Sequence, residues 1–234
     1  MADERSQRVR RRSFLTRAGV TAAAIGFGAD AAQAQSSGAS GSRFQPLRHS
    51  QDDWFDSVPG KHRLYLDAVT GYGAGDALLF AGNFLTNSRS AYNLADNESA
   101  VVICFRHFAT PFAWTDAIWG KYGEPLTGFL TKITDPKTGK APTINLFRTP
   151  GYGMQLNNLG STIDDLVKRG VQFAVCDTAT RFTARQLAQE TKGDNDAIYK
   201  ELTASVIPNS HFVAAGVVGV NRAQERGYTL IYAG

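Results

Sequence analysis

Two hydrophobic rhythms alternate along this chain. Unbroken apolar runs occur at 101–105 (VVICF) and 171–176 (VQFAVC), with shorter or mixed runs at 62–69, 211–215 and 228–233. An unbroken run bounded by turn residues predicts a strand buried on both faces, as in parallel sheets. Between these runs the apolar positions fall at helical spacing. Phe80, Ala81, Phe84 and Leu85 open one such stretch, out to about Tyr92. Others are Ser161–Gly170, with Ser161 and Asp164 as a capping pair and Gly170 as the stop, and about Thr180–Thr191, broken at Gly193-Asp194. The last two are Asp196–Val206, ended by Pro208, and Gly216–Arg226, stopped by Gly227. Five strands alternating with helices predict an α/β three-layer sandwich with a parallel sheet, and the strand order 2-1-3-4-5 needs the fewest assumptions.

The breaks in the pattern organise the rest. Thr70–Asp76 (TGYGAGD) is expected to be a glycine-rich turn, with Asp76 capping the helix after it. Such a turn can hold a phosphate, which raises a nucleotide or flavin site as one reading. The spacing is G-x-G-x-G, without the dinucleotide fingerprint or a P-loop lysine, so a tight turn is the better reading and no cofactor is expected. Residues 108–160 are expected to be an irregular insertion holding a short helix at 113–122 with Trp114 and Trp119. A connection of that length suits a lid, a binding loop or an oligomer contact. Its tryptophans are read as packing, because no metal-ligand spacing or haem motif accompanies them. Residues 52–60 are expected to cover one end of the domain, and 35–50, rich in Ser and Gly, to form a flexible tether.

Composition adds little until the N-terminus is set aside. The chain has 234 residues, 43% hydrophobic and 20% charged, which suits one soluble domain over 51–234. The formal charge is +4, but residues 1–34 contain six arginines against Asp3, Glu4 and Asp30; the remainder holds 19 basic and 18 acidic residues. No basic stripe is left to argue for nucleic acid. Arg11-Arg12-Ser13-Phe14-Leu15-Thr16-Arg17 resembles a twin-arginine export signal, followed by the apolar Ala18–Ala31 and a small-x-small site, Ala32-Gln33-Ala34. The apolar part is too short and too rich in Ala and Gly to span a bilayer well. A periplasmic mature chain starting near Gln35, without a stable membrane anchor, is therefore expected.

The candidate chemistry lies at 171–181. Cys176 is placed where a central strand ends and a helix begins, the edge at which open α/β sheets bind ligands. A helix N-terminus favours a thiolate. Asp177 opposes it, Arg181 is a candidate to offset Asp177, and Thr178 completes the turn. Arg106 and His107, at the end of the 101–105 strand, are expected to face the same crevice, with His107 in a supporting role. Inert packing of Cys176 is the competing reading. The other cysteine, Cys104, is expected to be buried and inert. With the order 2-1-3-4-5 another strand separates the two cysteines, by about 10 Å, which is too far for a disulfide.

With these elements placed, the chain resembles the DsrE/DsrF-like sulfur-relay family. Gly170-Val171-Gln172-Phe173-Ala174-Val175-Cys176 is similar to that family's G-V-x-hydrophobic-x-V-C strand. Val213–Val218, followed by Arg222–Tyr228, is similar to its V-P-A-G-V ending with Q-x-x-G-Y, and Lys61-His62-Arg63 with Asp67 matches more loosely. Arg181 sits roughly where that family often has a basic residue. The resemblance implies a flavodoxin-like sandwich, assembly into trimers or hexamers, and a cysteine at the Cys176 position that carries sulfur as a persulfide between donor and acceptor proteins. The chain departs from it in its export signal, its long insertion and Asp177 beside the thiol. A sulfur carrier or transferase is the first functional expectation; a non-catalytic module binding a partner or small ligand on the same fold is the second.

Overall fold

The computed structural model describes residues 45–234. The export signal expected at 1–34 and the first part of the expected tether lie outside the described residues. The five strands are β1 (His62–Ala68), β2 (Ser99–Phe105), β3 (Gln172–Cys176), β4 (Ser210–Val213) and β5 (Thr229–Ala233). All neighbours pair in parallel. The helices are α1 (Trp54–Ser57), α2 (Gly71–Tyr92), α3 (Asp116–Pro125), α4 (Ile163–Lys168), α5 (Asp177–Thr191), α6 (Asn195–Ala204) and α7 (Gly216–Gln224). The result is a flavodoxin-like three-layer α/β sandwich: the alternating pattern predicts its parallel sheet between helices, and the resemblance its flavodoxin-like form.

Burial explains why these residues make strands. Every residue of β2 is buried, so both faces of its continuous apolar run are used. On one face, Leu64, Leu66, Val101, Ile103, Phe173 and Val175 pack against Leu78 and Leu85 of α2 and Leu166 of α4. On the other, Tyr65, Val102, Cys104, Ala174 and Val213 meet Phe55 of α1 and Ala223 of α7. The stretch 52–60 thus packs across a sheet face, with Phe55 fully buried. A third cluster joins Trp114 and Ile118 to Ala184 and Leu187 of α5 and Ile198 and Leu202 of α6.

The strands stand in the order β4-β3-β2-β1-β5. Thus β1 lies between β2 and β5, where 2-1-3-4-5 sets it between β2 and β3. From β1 to β4 the chain steps one way across the sheet, and right-handed crossovers put the connecting helices on one face. α7 then returns across the other face and delivers β5 to the free edge of β1. Strand and helix alternation does not encode which edge the last strand takes.

This order corrects the separation expected for the cysteines. β2 and β3 are adjacent, and Cys104 pairs with Ala174, two residues before Cys176. Strand spacing and rise then put the two Cα atoms about 8 Å apart on one face, still beyond ordinary disulfide reach. Both cysteines are free thiols. Burial pushes the Cys104 thiol far up its titration range.

Three local expectations change. The glycine-rich stretch 70–76 is not a turn: α2 begins at Gly71 and its N-cap is Thr70, whose Oγ1 accepts from Gly73 N at 2.9 Å, so Asp76 is inside the helix. The cap of α4 is Thr162, which accepts from Asp165 N at 3.1 Å, while Ser161 Oγ donates to Leu78 O. The segment between β2 and α4 is more ordered than its pattern suggests. It forms a 3-10 helix (His107–Ala113), α3 and a π-helical stretch (Leu126–Thr131), and Trp114 and Trp119 are fully buried in it.

Candidate functional site

Two consecutive crossovers diverge at β3 and β4. After β3 the chain enters α5, which packs with α3 and the 3-10 helix on the α2 side of the sheet. After β4 it enters α7, on the opposite side. Divergence of adjacent connections opens a crevice beyond the carboxyl ends of the strands. Cys176 is the last residue of β3 and lies in that crevice.

The sulfur has a defined surrounding. Cys176 is the N-cap of α5, and its Sγ accepts from Ala179 N at 3.3 Å. It also accepts from Gly216 N, at the start of α7, at 3.2 Å. Two helix N-termini therefore converge on one sulfur, each presenting an N–H that a helix leaves unpaired. Sulfur is a weak acceptor as a thiol and a stronger one as a thiolate. Gly216 is a close approach rather than a turn: a Cβ on it would collide with the side chain of Arg106.

The thiol is only 5% exposed, yet it lines an open cavity of about 450 Å³. Arg106, His107 and Thr178 line the same cavity, as expected of the crevice. Arg106 is held by a two-pronged ion pair with the buried Asp67, Nε to Oδ1 at 2.6 Å and Nη2 to Oδ2 at 2.8 Å, which raises the guanidinium's affinity for its proton. His107 has a left-handed backbone, φ 54°, uncommon for a residue with a Cβ. Its ring packs against Phe108 at 3.9 Å. Thr178 fixes the start of α5, with its N and Oγ1 both donating to Ala214 O at 3.2 and 2.8 Å.

Asp177 and Arg181 turn elsewhere. The Asp177 carboxylate accepts from Tyr199 OH at 2.5 Å and from Arg181 Nε at 2.8 Å, and it lines a second cavity with Asp52, Tyr199 and Thr203. Arg181 stacks over the Tyr199 ring at 4.3 Å. Arg181 therefore balances the charge of Asp177, but it does not line the thiol's cavity. The basic residue of α5 that does is Arg185, with Phe182 beside it. Helical geometry makes this partly readable: 178, 182 and 185 share one strip of α5, and 177 and 181 the strip beside it. Phe108, Leu130 and Val217 complete the apolar wall, and Leu130 comes from the π-helical stretch. Nothing in their local pattern marks them, because they meet only through the fold.

Among the described residues no cluster of three or more His, Cys, Asp or Glu is placed to hold a metal, and no helix is long and apolar enough to cross a membrane. A Cβ on Gly71, Gly73 or Gly75 would meet Thr131, Ala233 or Asn157, so glycine at these positions serves close packing of protein against protein. Compared with known proteins, the chain matches no family model and no curated relative.

Proposed function

We propose that this chain is an exported, periplasmic DsrE-like sulfur carrier in which Cys176 takes up sulfane sulfur as a persulfide and passes it on. One observation carries the reading: the Cys176 sulfur sits in an open cavity and receives N–H groups from the starts of both α5 and α7. In the loading step the Cys176 thiolate attacks the outer sulfur of a donor persulfide, R–S–SH. A new Cys–S–SH forms, the donor's S–S bond breaks, and its electron pair leaves on R–S⁻. The two N–H groups hold the attacking sulfur in place, and Arg106, locked by Asp67, forms one wall. Assembly into trimers or hexamers belongs to the same proposal.

The test is mass spectrometry of the folded protein after exposure to inorganic tetrasulfide. A mass gain of one sulfur atom mapped to Cys176, absent from Cys176→Ser, is the expected result. A folded wild type that stays unmodified overturns the reading.

The recessed position of Cys176 supports a second reading, a non-catalytic module whose cavity binds a ligand or partner with the thiol as packing. It requires ligand binding to survive Cys176→Ser and no sulfur to load on the wild type. Removing 112–158 is not a usable test of it, since Phe112, Trp114, Trp119, Leu146 and Phe147 are all fully buried.

A further inference from the structure

The cavity over Cys176 has two unlike parts. Its walls are mostly apolar, with Phe108, Leu130, Phe182 and Val217 around the sulfur, and three of these remain partly exposed at 37%, 42% and 61% for Phe108, Phe182 and Val217. Two arginines also line it, in different states. Arg106 is paired with Asp67 through Nε and Nη2. Arg185 is exposed, and no carboxylate among the described residues pairs with it, whereas Arg181, one turn earlier, is paired to Asp177. A volume of about 450 Å³ falls in the range of small-molecule sites. An inorganic polysulfide would leave the apolar walls uncovered and water trapped against them.

Resting on the sulfur-carrier reading, we propose that the donor or acceptor served by this cavity is a small organic persulfide or thiol with an apolar body and a carboxylate or sulfonate. The body lies against Phe108, Leu130, Phe182 and Val217. The anion meets Arg185, and the reacting sulfur lies over Cys176. Arg185 is the specificity-determining residue, because it is the cation of the cavity with no carboxylate partner among the described residues. The sulfur balance is that of the loading step above: the organic thiolate departs with the electron pair of the broken S–S bond, and no oxidant or reductant is consumed.

The experiment compares three donors on the full-length protein: para-carboxybenzyl persulfide, its uncharged methyl ester, and inorganic tetrasulfide. The readout is the initial rate of sulfur gain on Cys176. The carboxylate should load about fivefold or more faster than the ester, the scale of one partly shielded ion pair. Arg185→Gln should erase that preference, and Arg185→Lys should retain part of it. Equal rates for carboxylate and ester, or a preference that survives Arg185→Gln, overturn the inference while loading by tetrasulfide leaves the carrier reading standing. Failure of all three donors to load Cys176 overturns both. Faster loading from a persulfidated protein, indifferent to Arg185→Gln, overturns the small-molecule assignment.

Discussion

The starts of α2 and α5 are the same kind of place, a parallel strand turning into a helix at the carboxyl edge of the sheet, yet they are finished in opposite ways. At α2 the cap is the Thr70 hydroxyl and the chain closes over it: Gly71, Gly73 and Gly75 touch the backbone of Thr131, the backbone of Ala233 and the side chain of Asn157. Gly73, two residues from each of the others, points to a different side of the helix from Gly71 and Gly75, so this spacing records crowding from more than one direction. At α5 the cap is the Cys176 sulfur, a poor acceptor as a thiol, and an open cavity lies over it. A glycine-rich helix start here signals protein packed against protein. The helix start capped by a cysteine leaves a polar terminus beside an open cavity.

The largest effect expected from testing this comparison is at the closed end. A Cβ on Gly73 would collide with the Ala233 carbonyl, which is backbone and cannot swing away. Gly73→Ala should destabilise the fold by about 3 kcal/mol, read as a lower urea midpoint with an unchanged slope. A midpoint within error of wild type would mean that the α2 start is not crowded and that the contrast is false.

A smaller effect is expected at the open end. A Cβ on Gly216 would collide with the Cβ and Cδ of Arg106, and here the start of α7 borders an open cavity and has room to shift. Gly216→Ala should cost about 1–2 kcal/mol, loosen the Arg106–Asp67 pair, and lower the rate of tetrasulfide loading several-fold by shifting the Gly216 N–H off the sulfur. Loss of stability without loss of loading rate would show that the α7 terminus does not act on Cys176.

The sequence made the layers legible because the central strands bury both faces and so read as unbroken apolar runs, as Ala100–Phe105 of β2 does. It also placed Cys176 at the strand end and Arg106 and His107 at the crevice. The strand order was not legible: β5 belongs beside β1 through pairing between residues more than 160 positions apart, such as Leu64 with Thr229. That one difference moved the two cysteines onto neighbouring strands. Within the site, Arg181 looked like the thiol's partner because it is near in sequence, but a helix turns it toward Asp177 and brings Arg185 round instead. Gly216, whose N–H completes the site, lies forty residues on and carries no side chain to announce itself.

The finest distinction lies between the caps themselves. Thr70→Ala removes a hydroxyl acceptor from a half-buried terminus crowded by Thr131, Ala233 and Asn157, and should cost about 1 kcal/mol. Cys176→Ala removes a weaker acceptor from a terminus that opens on a cavity, where water can take over both N–H groups, and should cost about half as much or less. Thermal or urea unfolding of the two variants side by side measures the difference. Equal losses would make the sulfur a structural cap like the threonine. A smaller loss at Cys176, alongside complete loss of sulfur loading, would mean that cysteine is held at this helix start by its chemistry, since stability alone is served as well by serine or threonine.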